Sequence, residues 1–79
     1  MQQEIRKQVI KNAYLHDGKA DASSVVGKLI SINPEIRKDM KNVMKSIQEY
    51  VNEVNSMTHD QIEEIVNTEY PDILIKETI

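Results

Sequence analysis

Residues 16–34, HDGKADASSVVGKLISINP, set two sharp boundaries that the rest of the chain has to accommodate. His16-Asp17-Gly18-Lys19 is a run of turn formers, and Gly18 can take the positive φ that follows a helix. Asp21 offers a side-chain oxygen to the open amides of a new helix. Val25, Val26, Leu29 and Ile30 then fall on one face at helical spacing. Asn33-Pro34 closes the stretch, because Asn caps a helix well and Pro fits the first helical position, where a missing N–H costs nothing. The pattern predicts a short helix over about 22–32 with a longer one on each side.

The flanking segments carry the period that this requires. Over 3–16, Ile5, Val9 and Ala13 form one row and Ile10 and Tyr14 a neighbouring row, with Arg6, Lys7 and Lys11 largely off that face as a solvated flank. From Pro34 to about 55, Ile36, Met40, Val43, Ile47, Tyr50 or Val51, and Val54 follow spacings of 4 and 3 in alternation, widened by Met44, and predict one long third helix. Thr58 and Gln61 match a capping box, with Asp60 at the positive helix end, opening a fourth helix of about 59–68 with Ile62, Ile65 and Val66 inside. Tyr70-Pro71 ends it. The run Asp72-Ile73-Leu74-Ile75-Lys76 has strand character but is too short to form a sheet, and is expected to fray or to begin a linker. Gly27, in the middle of the second helix, costs about 1 kcal/mol relative to Ala. Close approach of a neighbouring helix is the expected reason; close approach of a sugar-phosphate backbone is the alternative.

These elements add up to an all-α fold, a small four-helix domain over 1–70 with a short second and a long third helix, followed by a linker or tail at 71–79. With 79 residues the chain is one domain and buries only about 60–65% of its unfolded surface. It has no cysteine to staple it and three aromatics, all Tyr, so the core must be aliphatic. Its apolar runs are a few residues long and its start, MQQEIRKQ, lacks an apolar signal core, which favours a cytoplasmic protein.

The net charge of −3 argues against a nucleic-acid partner until its distribution is read. Residues 1–45 hold nine Lys/Arg against five Asp/Glu, a balance of +4, and residues 46–79 one against eight, a balance of −7. Any polyanion must therefore meet the first half. The candidate contacts are Lys19, Lys28, Arg37, Lys38, Lys41 and Lys45, of which Lys38, Lys41 and Lys45 share one face of a continuous helix. With no aromatic residue among them, they would neutralise phosphates and not stack on bases; the alternative is that they keep a small domain soluble. Catalytic constellations are absent. His16 and His59 sit at helix boundaries and form no HxxxH or HxxH pair, so no metal site is expected. Glu63, Glu64 and Glu69 read as a solvated face.

The order and spacing of several short runs resemble a known family. Lys11-Asn12-Ala13, Gly18-Lys19-Ala20, Val25-Val26-Gly27-Lys28-Leu29, Asn33-Pro34-Glu35-Ile36-Arg37-Lys38 and Glu53-Val54-Asn55-Ser56 look like the N-terminal appended domain of archaeal-type glutamyl-tRNA synthetase, over roughly residues 5–66. The GKA…V…L portion also resembles the helical tail domain of the tRNA-dependent amidotransferases and their free-standing relatives. The resemblance implies a non-catalytic module that binds or positions tRNA. The HIGH-like and KMSKS-like signatures of the synthetase catalytic domain do not occur in these residues. Use of ATP and magnesium to attach glutamate to tRNA is therefore implied only for a parent chain. Other expected readings are a module docking the synthetase to a protein partner, through the acidic fourth helix or an exposed part of the Val43–Val54 stripe, and a free-standing helical protein.

Overall fold

A computed structural model describes the backbone of residues 2–78 and the side chains of residues 2–74. Five α-helices follow one another: α1 (Gln2–Leu15), α2 (Ala22–Ile32), α3 (Met40–Asn55), α4 (His59–Glu69) and α5 (Pro71–Thr78), with a 3-10 helix (Pro34–Asp39) leading into α3. The all-α fold with a short second helix and a long helical third segment is as the sequence predicts.

The helix at the centre is α1, which packs against α2, α3 and α4. Ile5, Val9, Ile10 and Ala13 are almost completely buried, joined in one core by Val25 and Leu29 of α2, Val43, Ile47, Val51 and Val54 of α3, and Ile62 and Val66 of α4. Since helical side chains three and four apart share a face, these sets are the inner stripes that periodicity marks. Two members differ from expectation. Gln8 on α1 is a buried polar residue, and Met44 is 40% exposed because the inner stripe of α3 runs through Val43 and Ile47.

The two boundaries are built as the sequence implies. The Gly18 N–H closes the end of α1 by donating to the Ala13 carbonyl at 2.8 Å with φ at +88°, and Asp17 is also left-handed at +55°. Asp21 caps α2, its Oδ2 accepting from Ser24 N at 3.2 Å and Ser24 Oγ at 2.9 Å. Asn33 Oδ1 accepts from Glu35 N at 3.1 Å, with Pro34 at the first helical position. Thr58 Oγ1 accepts from Gln61 N at 3.2 Å and Gln61 Oε1 accepts from Thr58 N at 2.9 Å, completing the capping box.

Three expectations are corrected. The segment 34–55 is helical throughout but not as one α-helix: Asp39 (φ −127°, ψ 35°) interrupts it and residues 34–39 wind as 3-10 helix. Ile36 alone anchors that turn in the core, and Asp39 Oδ1 accepts from Asn42 Nδ2 at 2.8 Å across the junction with α3. Gly27 has no neighbour within 4 Å of where a Cβ would stand, so no packing helix explains it. Lastly, Pro71 both ends α4 and starts α5. Residues 72–76 are helical, not strand-like, and Ile73 is 1% exposed. The contiguous apolar run conceals a helical set, because Tyr70, Ile73 and Leu74 lie at i, i+3, i+4 and pack on the core together. Ile75, Lys76, Glu77, Thr78 and Ile79 lie outside the residues whose side chains are described.

Two stability changes follow. Ile73→Ala should destabilise the domain by about 2–4 kcal/mol, read by urea denaturation; a neutral result would mean that α5 does not dock. Gly27→Ala should stabilise it by about 0.5–1 kcal/mol, since the new methyl meets nothing and the helix gains propensity. A loss of stability would show a close neighbour at that position.

Candidate functional site

The loop of residues 16–21 is fixed by two asparagines from different helices. Asn12 Oδ1 accepts from Asp21 N at 2.7 Å and Asn55 Oδ1 accepts from Ala20 N at 2.8 Å. The Asn12 carbonyl also meets His16 Nδ1 at 2.7 Å. Lys19 is thus presented, exposed, on a loop clamped to α1 and to the end of α3.

The other candidate cations are spread over three elements. Arg37 and Lys38 lie on the 3-10 helix, and Lys38 Nζ stands 3.6 Å from Glu35 with both side chains largely in water. Lys41 and Lys45 are one turn apart on α3, on the face opposite Val43, Ile47 and Val54. The break at Asp39 takes Lys38 off that helix, so the three lysines do not continue one helical face. Lys28, on α2, lies elsewhere: it lines a cleft of about 270 Å³ together with Glu4, Lys7, Gln8, Lys11, Ile32, Asp72 and Ile73. The structure therefore brings Lys28 together with two lysines that the sequence leaves on a solvated flank, and disperses the rest.

The basic residues of α1 meet the acidic C-terminal half directly. Arg6 Nη1 is 2.7 Å from Glu69 Oε1 and donates to Tyr70 Oη at 2.8 Å. Lys7 Nζ is bonded to Asp72 Oδ2 at 2.5 Å. Both cations hold their protons more tightly than usual, Arg6 mainly through its hydrogen bond to Glu69 and Lys7 mainly through that to Asp72. The raised Lys7 pKa makes its contribution present below the usual lysine pKa and lost as pH rises through the folded value. Among the described residues, Lys11, Lys19, Lys28, Arg37, Lys41 and Lys45 form no ion pair.

Two further features lie on α4. Met57, Gln61, Glu64, Ile65, Thr68 and Glu69 line a cleft of about 360 Å³, in which Met57 and Ile65 are half-buried and the two carboxylates exposed. At the N-terminus of α4, ligand atoms of His59, Asp60 and Glu63 lie within 4.8 Å of one another, all three residues exposed. The signal in the sequence is His59 and Glu63 at i, i+4, which a search for paired histidines passes over. His59 also stacks on Tyr14, ring centroids 6.4 Å apart. The helix N-terminus carries a partial positive charge that favours carboxylates and opposes a cation, which explains the acidic residues without a metal. No helix of the described residues is long and apolar enough to cross a membrane.

Comparison with known proteins gives a consistent answer. Neither a family model nor a solved structure matches the chain. A glutamate–tRNA ligase of Thermoplasma acidophilum is 40% identical over 74 residues, covering 94% of this chain and 14% of the relative. One from Thermococcus kodakarensis is 42% identical over 74 residues, covering 89% and 13%. One from Thermoplasma volcanium is 40% identical over 76 residues, covering 96% and 14%. The chain is homologous to a segment of glutamate–tRNA ligases. It spans about one-seventh of the length of these relatives, so the similarity concerns one region of them and not their whole activity. Asn12, Gly18, Asn33 and Asn55, each within one of the runs that resemble the family, are caps and clamps of the fold.

The Asp21 cap gives a pH test. Its hydrogen bonds from Ser24, the side-chain hydroxyl first, hold its carboxyl below the usual carboxylate range. The stabilisation is therefore present above about pH 4 and lost as pH falls through the lower folded value. Asp21→Asn retains a capping oxygen that does not titrate. The stability gap between wild type and Asp21→Asn, measured by urea denaturation, should be constant between pH 5 and 7 and shift towards the variant below about pH 4. A gap that stays constant through pH 3 would show that the cap makes no pH-dependent contribution.

Proposed function

We propose that this domain is a non-catalytic module, appended at the N-terminus of an archaeal-type glutamate–tRNA ligase, that helps to bind or position tRNA. The observation that carries the reading is the 40% identity to such ligases over 94% of the chain. Lys41 and Lys45, on the outer face of α3 and with no carboxylate partner among the described residues, supply a surface for phosphates, extended by Lys19, Lys28, Arg37 and Lys38. Lysine and arginine on a rigid helical surface neutralise phosphates without reading bases, so affinity is low and salt-sensitive. Glutamate activation with ATP and magnesium belongs to the catalytic domain of the parent chain, and the setting is the cytoplasm.

A second reading makes the domain a docking module for a protein partner or for the catalytic domain itself. The cleft beside α4, lined by Met57 and Ile65 together with Glu64 and Glu69, favours it. Salt response separates the two. Phosphate contact through three or four cations gives a slope of log K against log salt of about −2 to −4, whereas a mainly apolar interface responds far less.

Fluorescence anisotropy of a labelled tRNA transcript is expected to give the steeper slope. Lys38→Glu with Lys41→Glu should weaken binding about tenfold or more at low salt, with the circular dichroism of the wild type. Unchanged affinity in a folded variant would remove this surface as the contact.

A further inference from the structure

The cleft between α1, α2 and α5 contains three lysines, but they are not equivalent. Lys7 is bonded to Asp72. The second carboxylate of the cleft, Glu4, accepts from Gln8 Nε2 at 3.3 Å. Lys11 and Lys28 come from different helices, line the same space, and have no carboxylate partner among the described residues. Gln8, only 8% exposed, also lines the cleft. One of its two amide N–H donors goes to Glu4, which leaves the other for a ligand. The volume of about 270 Å³ is roughly nine times that of a liquid water molecule, enough for a tetrahedral oxyanion with part of its ester.

We infer that this cleft is a phosphate-binding site in which Lys11 and Lys28 hold the anion and Gln8 completes its hydrogen bonds. Two ammonium groups that share one cleft, with no carboxylate partner among the described residues, repel each other until an anion lies between them. Its five titratable side chains sum to +1, so a singly charged phosphodiester is balanced locally and a doubly charged phosphate leaves the cleft one charge negative, while a neutral ligand leaves the lysine repulsion in place. Ammonium groups act as point charges with freely turning donors, which suits a phosphate approached from several sides, whereas flat carboxylates are matched best by the fork of an arginine, absent here. The phosphate belongs either to an RNA backbone or to a small phosphate compound. The first source rests on the tRNA reading above and adds a second, separate contact to the α3 face.

Two titrations of the 79-residue chain test the site, each made on wild type and on Lys11→Gln with Lys28→Gln, whose folding is checked by circular dichroism. With labelled tRNA, the variant should bind about five- to tenfold more weakly at 100 mM salt, with a salt slope shallower by roughly 1.4–1.8 for two lost contacts. With inorganic phosphate followed by amide NMR, shifts in wild type should centre on residues 7–11, 28–32 and 72–73 and vanish in the variant. If tRNA binds both proteins equally and phosphate leaves these amides unmoved, the inference is overturned while the tRNA module stands. If tRNA does not bind wild type but phosphate moves the cleft and only in wild type, the site holds for a small phosphate compound and the tRNA reading falls. If neither ligand perturbs the cleft in wild type, the site is overturned whatever else binds.

Discussion

The structure depends on the burial of α1 by three other helices. Nothing covalent is available to share that task, because the chain has no cysteine, and the largest fully buried side chains among the described residues are all Ile, Leu or Val. Ile5, Val9 and Ile10 are each no more than 1% exposed. A fully buried aliphatic side chain contributes about 1.5–3 kcal/mol, a large fraction of the net stability of so small a domain. α2 and α4, with 11 residues each, and α5, with eight, are too short to persist alone. Each is held because it covers part of α1 or of the stripe that covers α1.

That arrangement changes the meaning of the charge pattern. Read along the chain, a basic half and an acidic half suggest a bipolar surface. Once folded, the two halves are sewn together where α1 meets the C-terminal helices, through Arg6 with Glu69 and Tyr70 and through Lys7 with Asp72. Part of the charge segregation therefore serves internal pairing. These pairs remain partly exposed, with side chains 25–48% accessible, so each adds little energy by itself. They matter more for register, because they fix where α4 ends and α5 begins against α1. The cations left over, Lys11 on α1 and those on α2, the 3-10 helix, α3 and the loop between α1 and α2, are those that can meet an outside anion.

Most of the fold was legible because its signals are local. The period of α1 through α4, the Asp21 and Asn33 caps and the Thr58–Gln61 box depend on residues within a few positions of one another. What was not legible needs the third dimension. Pro71 was read as a stop, although the rule applied at Pro34 makes it equally a start; only the burial of Ile73 decides. The even spacing from Ile36 to Val54 hides the break at Asp39, since a 3-10 turn can keep its one apolar residue, Ile36, inward. Gly27 shows the reverse: a residue type that usually marks close packing faces open space. For the candidate site, position on a helix face told which cations lie off the apolar stripe, although Arg6, Lys7 and Lys11, expected on a solvated flank, are half-buried. It could not tell that Lys11 and Lys28, 17 positions apart, line one cleft, because that depends on how α1 and α2 cross.

The net charge of −3 does not decide whether such a domain can approach a polyanion. The molecule measures 34 × 28 × 18 Å, and at physiological ionic strength charges are screened beyond about 8 Å. A phosphate at the Lys11–Lys28 cleft responds mainly to the five charged side chains that line it, and the outer carboxylates of α4 act on it only weakly. At 0.01 M salt the screening length is about 30 Å, comparable to the whole molecule, and the acidic half is then felt everywhere. Lowering the salt thus strengthens local lysine–phosphate attraction and long-range repulsion together. For a domain with this charge layout the gain in affinity flattens at the lowest salt, while a uniformly basic protein keeps gaining. Pairing part of the acidic residues with α1 lets a weakly acidic domain carry local cationic sites, and the remaining carboxylates limit how long a polyanion stays on them.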